Sequence, residues 1–219
     1  MIAKEGYTIV AIVAVSTLLL CLAASLVKGG AGLSLLLAGL VTLAFVLFFF
    51  RDPKRTPPPE AHDLLLAPAD GKVLEVVEEH EPLYLNGRAQ RIGIFLSPLD
   101  VHVNRIPADG IIELARYVPG DYLVAWHPKS SSHNERSILG LRHPSGHKIL
   151  FKQIAGAVAR RIVFDITVGD TVYAGDRYGI IKMGSRMDVL VSPDVIVNVS
   201  PGDRVRAGET IVGRLPISS

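Results

Sequence analysis

Two long stretches without a single charge open this sequence and decide much of what can follow. Residues 6–27 (GYTIVAIVAVSTLLLCLAASLV) and 29–50 (GGAGLSLLLAGLVTLAFVLFFF) are each 22 residues long and uncharged. As a helix, either run is long enough to cross ~30 Å of hydrocarbon. Lys28-Gly29-Gly30 forms a tight break between them. The pair predicts a transmembrane helical hairpin with both ends on one side; a single kinked helix or a re-entrant pair is the other reading. A cleaved signal peptide fits less well, because no small-residue cleavage site followed by polar sequence closes the first run. Lys4 flanks the entry and Arg51, Lys54 and Arg55 flank the exit, against Lys28 alone in the connection. The positive-inside bias places both ends at the cell membrane's cytoplasmic face.

The remainder is a different polymer. Residues 1–50 carry only Lys4, Glu5 and Lys28, so 41 charged residues fall in the other 169. That is about 24%, an ordinary density for a soluble globular domain, and the length suffices to bury a core. Disorder and a multi-span transporter are excluded. A net charge of +2 gives no support to a nucleic-acid partner. Cys21 is the sole cysteine and lies in an apolar run, which excludes an intramolecular disulfide and disfavours a reactive thiolate. The spacing of His127, His133, His143 and His147 matches no metal motif, so no metal is expected.

Two domains are therefore expected: a membrane hairpin over 1–50 and a β-rich domain over 51–219. Arg51–Pro59 (RDPKRTPPP) is a stiff basic exit suited to anionic head groups. Beyond it, Lys72–Val77, Arg91–Leu96, Gly110–Tyr117, Lys148–Ile154 and Arg160–Ile166 are short Val/Ile-rich runs punctuated by Gly, Pro and Asp. Helix-period stretches are scarce. Pro68-Ala69-Asp70-Gly71 recurs as Pro107-Ala108-Asp109-Gly110, and Gly169-Asp170-x-Val172-x-Ala174-Gly175 recurs as Gly202-Asp203-x-Val205-x-Ala207-Gly208. These are too few for a solenoid. They predict pseudo-symmetric β-hairpins in a mainly β fold of the barrel-sandwich, lipoyl-like kind, with a few short helices.

Gly184-Ser185 lies between apolar, strand-like sequence. Alone, such a dipeptide is an ordinary turn. It also permits a specific reaction. The Ser185 hydroxyl can attack the carbonyl of Gly184, where the missing side chain offers least hindrance. The resulting ester can undergo β-elimination, which cuts the chain and leaves a dehydroalanine. Tautomerisation and hydrolysis turn that into an N-terminal pyruvoyl ketone, an electrophile that forms a Schiff base with amines and acts as an electron sink. The attack needs a base and a group to orient it. Candidates are His102, in Ser97–Pro107 (SPLDVHVNRIP), since histidine as a residue type can take and return a proton near neutral pH, and Asp70, which sits at a turn.

Phe50-Arg51-Asp52-Pro53, Ala67–Gly71 (APADG), Leu96–Arg105 (LSPLDVHVNR), Val118-Pro119-Gly120, Asn134-Glu135-Arg136 and Gly184-Ser185-Arg186 occur in this order. From about residue 48 onward the chain resembles the phosphatidylserine decarboxylases of the short bacterial and archaeal type. The resemblance implies a proenzyme that cleaves itself at Gly184-Ser185 into a β chain, 1–184, and an α chain, 185–219, that begins with a pyruvoyl cofactor made from Ser185. It implies a lyase that converts phosphatidylserine, taken from the bilayer, to phosphatidylethanolamine and CO2. Homo-oligomers of the processed chains are compatible with it. His102 and Asp70 match catalytic positions of the family. Longer members carry a second histidine where this chain has Arg105, which leaves the processing base open. Arg136, Arg105 and Arg186 are the substrate-binding candidates for phosphate and carboxylate. Tyr122, Trp126 and residues 128–133 would form a loop over the site or an ordinary surface loop. The rival readings are decarboxylation of another serine lipid such as archaetidylserine, and a non-enzymatic membrane-anchored β adaptor.

Overall fold

A computed structural model describes residues 1–27, 29–59, 61–126, 130–156, 162–181 and 185–216. The chain divides into two compact units, Met1–Lys54 and Arg55–Ser219.

In the first unit, α1 (Tyr7–Leu26) and α2 (Gly30–Phe49) form a helical hairpin. Each has 20 residues, or about 30 Å of helix. Both are long and apolar enough to cross a membrane. Gly29, with φ +80°, occupies the left-handed conformation that the reversal requires. Midway, the Thr17 hydroxyl donates to the carbonyl of Gly39 at 3.2 Å. A Cβ on Gly39 would lie 3.3 Å from the Thr17 methyl, so the small residue sets how closely the helices approach. Backbone bonds tie the open end: Ala3 N–H to Phe50 O at 2.8 Å and Asp52 N–H to Met1 O at 2.7 Å. Hence both ends of the hairpin lie together.

The second unit is mainly β. Its strands are β1 (Leu64–Leu66), β2 (Gly71–Glu81), β3 (Gly87–Leu96), β4 (Val103–Arg105), β5 (Gly110–Val118), β6 (Arg136–Arg142) and β7 (Lys148–Ile154). There follow β8 (Ile162–Phe164), β9 (Thr171–Val172), β10 (Arg177–Ile181), β11 (Ser185–Val191), β12 (Ile196–Val197), β13 (Arg204–Val205) and β14 (Ile211–Arg214). One short helix, α3 (Ser130–His133), interrupts them. The strand expected over 160–166 is Ile162–Phe164, and 160–161 lie outside the described residues. The strand expected over 72–77 runs on to Glu81, because the β2–β3 hairpin stays in register to Glu81↔Gly87 and pairs Arg88 with Glu78 and Arg91 with Glu79.

An internal two-fold governs the layout. The large sheet runs β13-β2-β3-β11-β7-β6-β5-β9, and the two small ones run β1-β14-β12 and β4-β10-β8. Exchanging β2 with β5, β3 with β6, β11 with β7, β13 with β9, and one small sheet with the other leaves this pattern unchanged. The sequence echoes are its seam. Leu66 N–H bonds Pro107 O at 2.7 Å, and Arg105 N–H bonds Pro68 O at 2.9 Å. Gly208 N–H bonds Ala67 O, and Gly175 N–H bonds Ile106 O. Each Pro-Ala-Asp-Gly aspartate accepts from the glycine-rich turn of the other echo: Asp70 from Ala207 N–H at 2.8 Å, Asp109 from Ala174 N–H at 2.7 Å. Gly175 and Gly208 have φ of +86° and +72°, so these turns need glycine.

Alternation along the central strands sorts their faces. Ile92, Ile94, Leu96, Met187, Val189, Val191, Ile149 and Phe151 form the main core. The opposite face of β11 carries Arg186, Asp188 and Leu190, all buried.

Candidate active site

Ser185 opens β11, an inner strand paired with β3 on one side and β7 on the other. Its register partner is Leu96, the last residue of β3. Gly184, the other half of the predicted cleavage site, lies outside the described residues. Ser185 is fully buried, and among the described residues its hydroxyl has no hydrogen-bond partner. Burying an unbonded hydroxyl costs about 1–3 kcal/mol, so the group calls for an explanation, a chemical role being one.

His102 is also fully buried. The loop of residues 97–101 joins Leu96 to His102, so Ser185's strand partner and the histidine are the two ends of one short loop. The His102 carbonyl accepts from Ile181 N–H at 3.3 Å. Its Nδ1 lies 2.9 Å from the Asp100 carbonyl. A carbonyl can only accept, so Nδ1 carries the proton and Nε2 is the basic atom.

Asp70 precedes β2, whose Lys72 pairs with Phe95, the neighbour of Leu96. It lies at Ser185's end of the sheet, two strands away or about 10 Å of backbone. Its carboxylate is engaged by Ala207 N–H and by Arg55, at 2.7 Å. No hydrogen bond joins it to Ser185.

The three arginines do not converge. Arg105 donates to the Gly175 carbonyl at 3.0 Å, on the seam. Arg136 donates to the Asn134 carbonyl at 3.0 Å; burial, then the charge of Arg116, lowers its pKa. It lines a cavity of about 340 Å³ with Lys152, Arg91, Glu79 and Ser131. Arg186 is all but fully buried, on the face away from Ser185, and its guanidinium bonds Asp188 and Glu75. Arg91 bonds Glu75 and Glu79 beside it. A Cβ on Gly93 would lie 2.6 Å from Arg186 Nη2, so glycine makes room for the cation. The buried pair therefore holds the first turn-side residues of β11 in place.

Asn134 and Glu135 act as a clamp. The Asn134 amide bonds both backbone groups of Leu123 and the Ala155 carbonyl. Glu135 accepts Ala155 N–H through its backbone at 2.9 Å and Ile162 N–H through its carboxylate at 3.4 Å.

One polar chain was not singled out from sequence. Ser137 Oγ donates to Gln153 Oε1 at 2.8 Å, and Gln153 Nε2 donates to Asn104 Oδ1 at 2.8 Å. That order leaves Asn104 Nδ2 as a buried donor without a partner. Asn104 and His102 are two residues apart, as same-face neighbours on a strand are. Gln153 pairs with Met187, two residues from Ser185 on the same face. The signal was present: in Lys148–Ile154, Ile149 and Phe151 take the core face, and Gln153 is the polar residue that continues it. Among the described residues no cluster of His, Cys, Asp or Glu could hold a metal ion.

The described geometry thus offers a buried serine at a strand start, a buried histidine whose Nδ1 donates to a carbonyl, and a buried asparagine amide. Comparison with known proteins identifies the family. The sequence profile described as phosphatidylserine decarboxylase matches residues 42–213. A phosphatidylserine decarboxylase proenzyme of Salinibacter ruber is 66% identical over 175 residues, covering 80% of this chain and 77% of that protein. One from Symbiobacterium thermophilum is 45% identical over 216 residues, covering 98% and 96%. One from Solibacter usitatus is 45% identical over 197 residues, covering 90% and 92%. With most of its length matched in this way, the chain belongs to the phosphatidylserine decarboxylase family.

Proposed function

We propose that this chain is a proenzyme that cuts itself between Gly184 and Ser185 and then decarboxylates phosphatidylserine to phosphatidylethanolamine. Membership of the family carries the reading, and the buried, unpartnered Ser185 hydroxyl is its structural support. In self-cleavage the Ser185 Oγ–carbon bond forms as its proton passes to a base. The Gly184–Ser185 C–N bond then breaks to leave an ester, and elimination cuts the chain. His102 Nε2 is the proton acceptor in this reading. Asp70, held by Arg55 and by Ala207 N–H at the same end of the sheet, orients or charges that base in this reading.

The residues fit the pyruvoyl group that would follow, because the Ser185 position is enclosed and its hydroxyl is not held by another described group. When present, the group would supply an electrophilic ketone for the substrate amine and a sink for the electron pair left as CO2 departs. In this reading His102 returns a proton to the carbon that loses the carboxylate. A loose contact to that carboxylate serves better than a tight ion pair, which would favour the ground state. Arg136 is the least committed of the three arginines; Arg105 would act through the Gly175 backbone it holds and Arg186 through the Asp188 and Glu75 carboxylates. The lipid's tails stay in the bilayer, since each CH2 brought into water costs ~0.8 kcal/mol; the hairpin serves that economy, with the catalytic unit on the cytoplasmic face.

The intact mass of the purified chain tests this. Wild-type protein should resolve into residues 1–184 and a 35-residue fragment that reacts with a carbonyl-trapping hydrazine. Ser185→Ala should stay whole. An uncut wild-type chain with decarboxylase activity would refute the route.

A further inference from the structure

We propose that the rim beside Ser185 is an interfacial docking surface that seats the catalytic unit on an anionic bilayer. Trp126 is 61% exposed, yet its ring packs edge-on against Phe95, with centroids 5.6 Å apart. Leu99 is 65% exposed near the middle of the loop that runs from Leu96 to His102. Large apolar side chains thus stand in solvent around one short loop whose two ends are the partner of Ser185 and the histidine. Tryptophan favours the head-group level of a bilayer, where its ring is buried and its N–H stays hydrated.

Cations lie on the Phe95 face, at Ser185's end of the sheet but on the side opposite its hydroxyl. Lys72 pairs with Phe95 on one side and with Arg204 on the other, and directly paired residues project from the same side of a sheet. Lys72 and Arg204 are both exposed. Arg204 Nη1 reaches Asp100 Oδ1 at 3.4 Å, which ties the cationic row to the Leu99 loop. Aromatic and aliphatic groups flanked by cations complement a bilayer rich in anionic lipid. This inference rests on the substrate proposed above, itself an anionic lipid. It adds a surface: Leu99 and Trp126 enter the interface, Lys72 and Arg204 meet phosphates, and the head group arrives at the loop joining β3 to His102.

Trp126 is the only tryptophan in the chain, so its emission reports on this rim alone. The test reconstitutes the full chain into vesicles of phosphatidylcholine with and without phosphatidylglycerol, carrying bromine at shallow or deep acyl positions. The expected result is a blue-shifted emission, quenched more by shallow than by deep bromines, and more with phosphatidylglycerol present. Lys72→Gln and Arg204→Gln should each weaken the docked population roughly fivefold and raise the apparent KM for bilayer substrate, while self-cleavage stays unchanged. Absence of quenching by every brominated lipid overturns the proposal. So does a blue-shifted but unquenched Trp126, which would assign the rim to a protein partner. Ser185→Ala should dock like wild type, so failure of the cleavage reading and failure of docking are separable.

Discussion

Asp70 and Asp109 give a matched pair for separating chemistry from architecture. Each accepts a backbone N–H across the seam, at 2.8 and 2.7 Å, and each holds a second partner at 2.7 Å, Arg55 or His62. Their side chains are equally enclosed, at 15% and 17% exposed. Replacing either with alanine removes a charged hydrogen bond to an inner backbone N–H, at about 1.5–3 kcal/mol. Loss of Asp70 leaves Arg55 paired with Glu209 at 3.0 Å, so no stranded charge is added. In a unit of this size the melting temperature should fall roughly 4–10 °C for both variants. Self-cleavage should not fall alike. Asp109 lies at the opposite end of the two-fold from Ser185, so Asp109→Ala should be cut while Asp70→Ala stays whole. The assay is denaturing electrophoresis over time at a temperature well below both melting points. Equal cleavage rates at matched stability would refute a catalytic part for Asp70 and leave it an architectural residue like its twin.

Other perturbations act on the opposite face of β11. Gly93→Ala would set a Cβ 2.6 Å from Arg186 Nη2, and the guanidinium is bonded to both Asp188 and Glu75; the cost should be about 1–3 kcal/mol in urea unfolding, and a change near zero would mean that the ion network can yield. Burial raises the pKa of Glu75, but hydrogen bonds and charge from Arg186 and Arg91 outweigh it and hold the group below its ordinary value. A depressed carboxylate adds stability above its unfolded pKa and loses it as pH falls through the folded value. Wild type should therefore weaken progressively below about pH 4.5, and Glu75→Gln should show a shallower loss; parallel acid titrations of the two would refute this.

How much could be read in advance differs by level. The hairpin was legible because an uncharged run of that length has few fates, and β2, β3, β5 and β7 were legible from Val/Ile runs between turn residues. The two echoes were visible as repeats, but not that each Pro-Ala-Asp-Gly pairs with the other half's glycine-rich turn. That pairing joins residues 137 positions apart for Asp70 and Ala207, and local pattern carries no such information. Ser185 and His102 were reached from residue chemistry and the family resemblance. The arginines were harder, since a guanidinium in a sequence does not reveal which carbonyl or carboxylate it will meet. Arg186 lies on the far face only because strand alternation sends it opposite to Ser185. Asn104 needed the structure, because a lone asparagine in a strand is unremarkable until Gln153 and Ser137 dictate which way its amide turns.

The place of β11 has a consequence for timing. Residues 185–191 are made late, yet they fill the gap between β3 and β7 in the middle of the large sheet. Until the ribosome has released them, the two halves built from earlier sequence have nothing to zip against, and two bare strand edges stay open to mispairing. Any chemistry that depends on the assembled interior must wait for residues 185–191 to thread into their slot. Once seated there, held on both flanks, that piece stays in the sheet whether or not the backbone before it is still continuous.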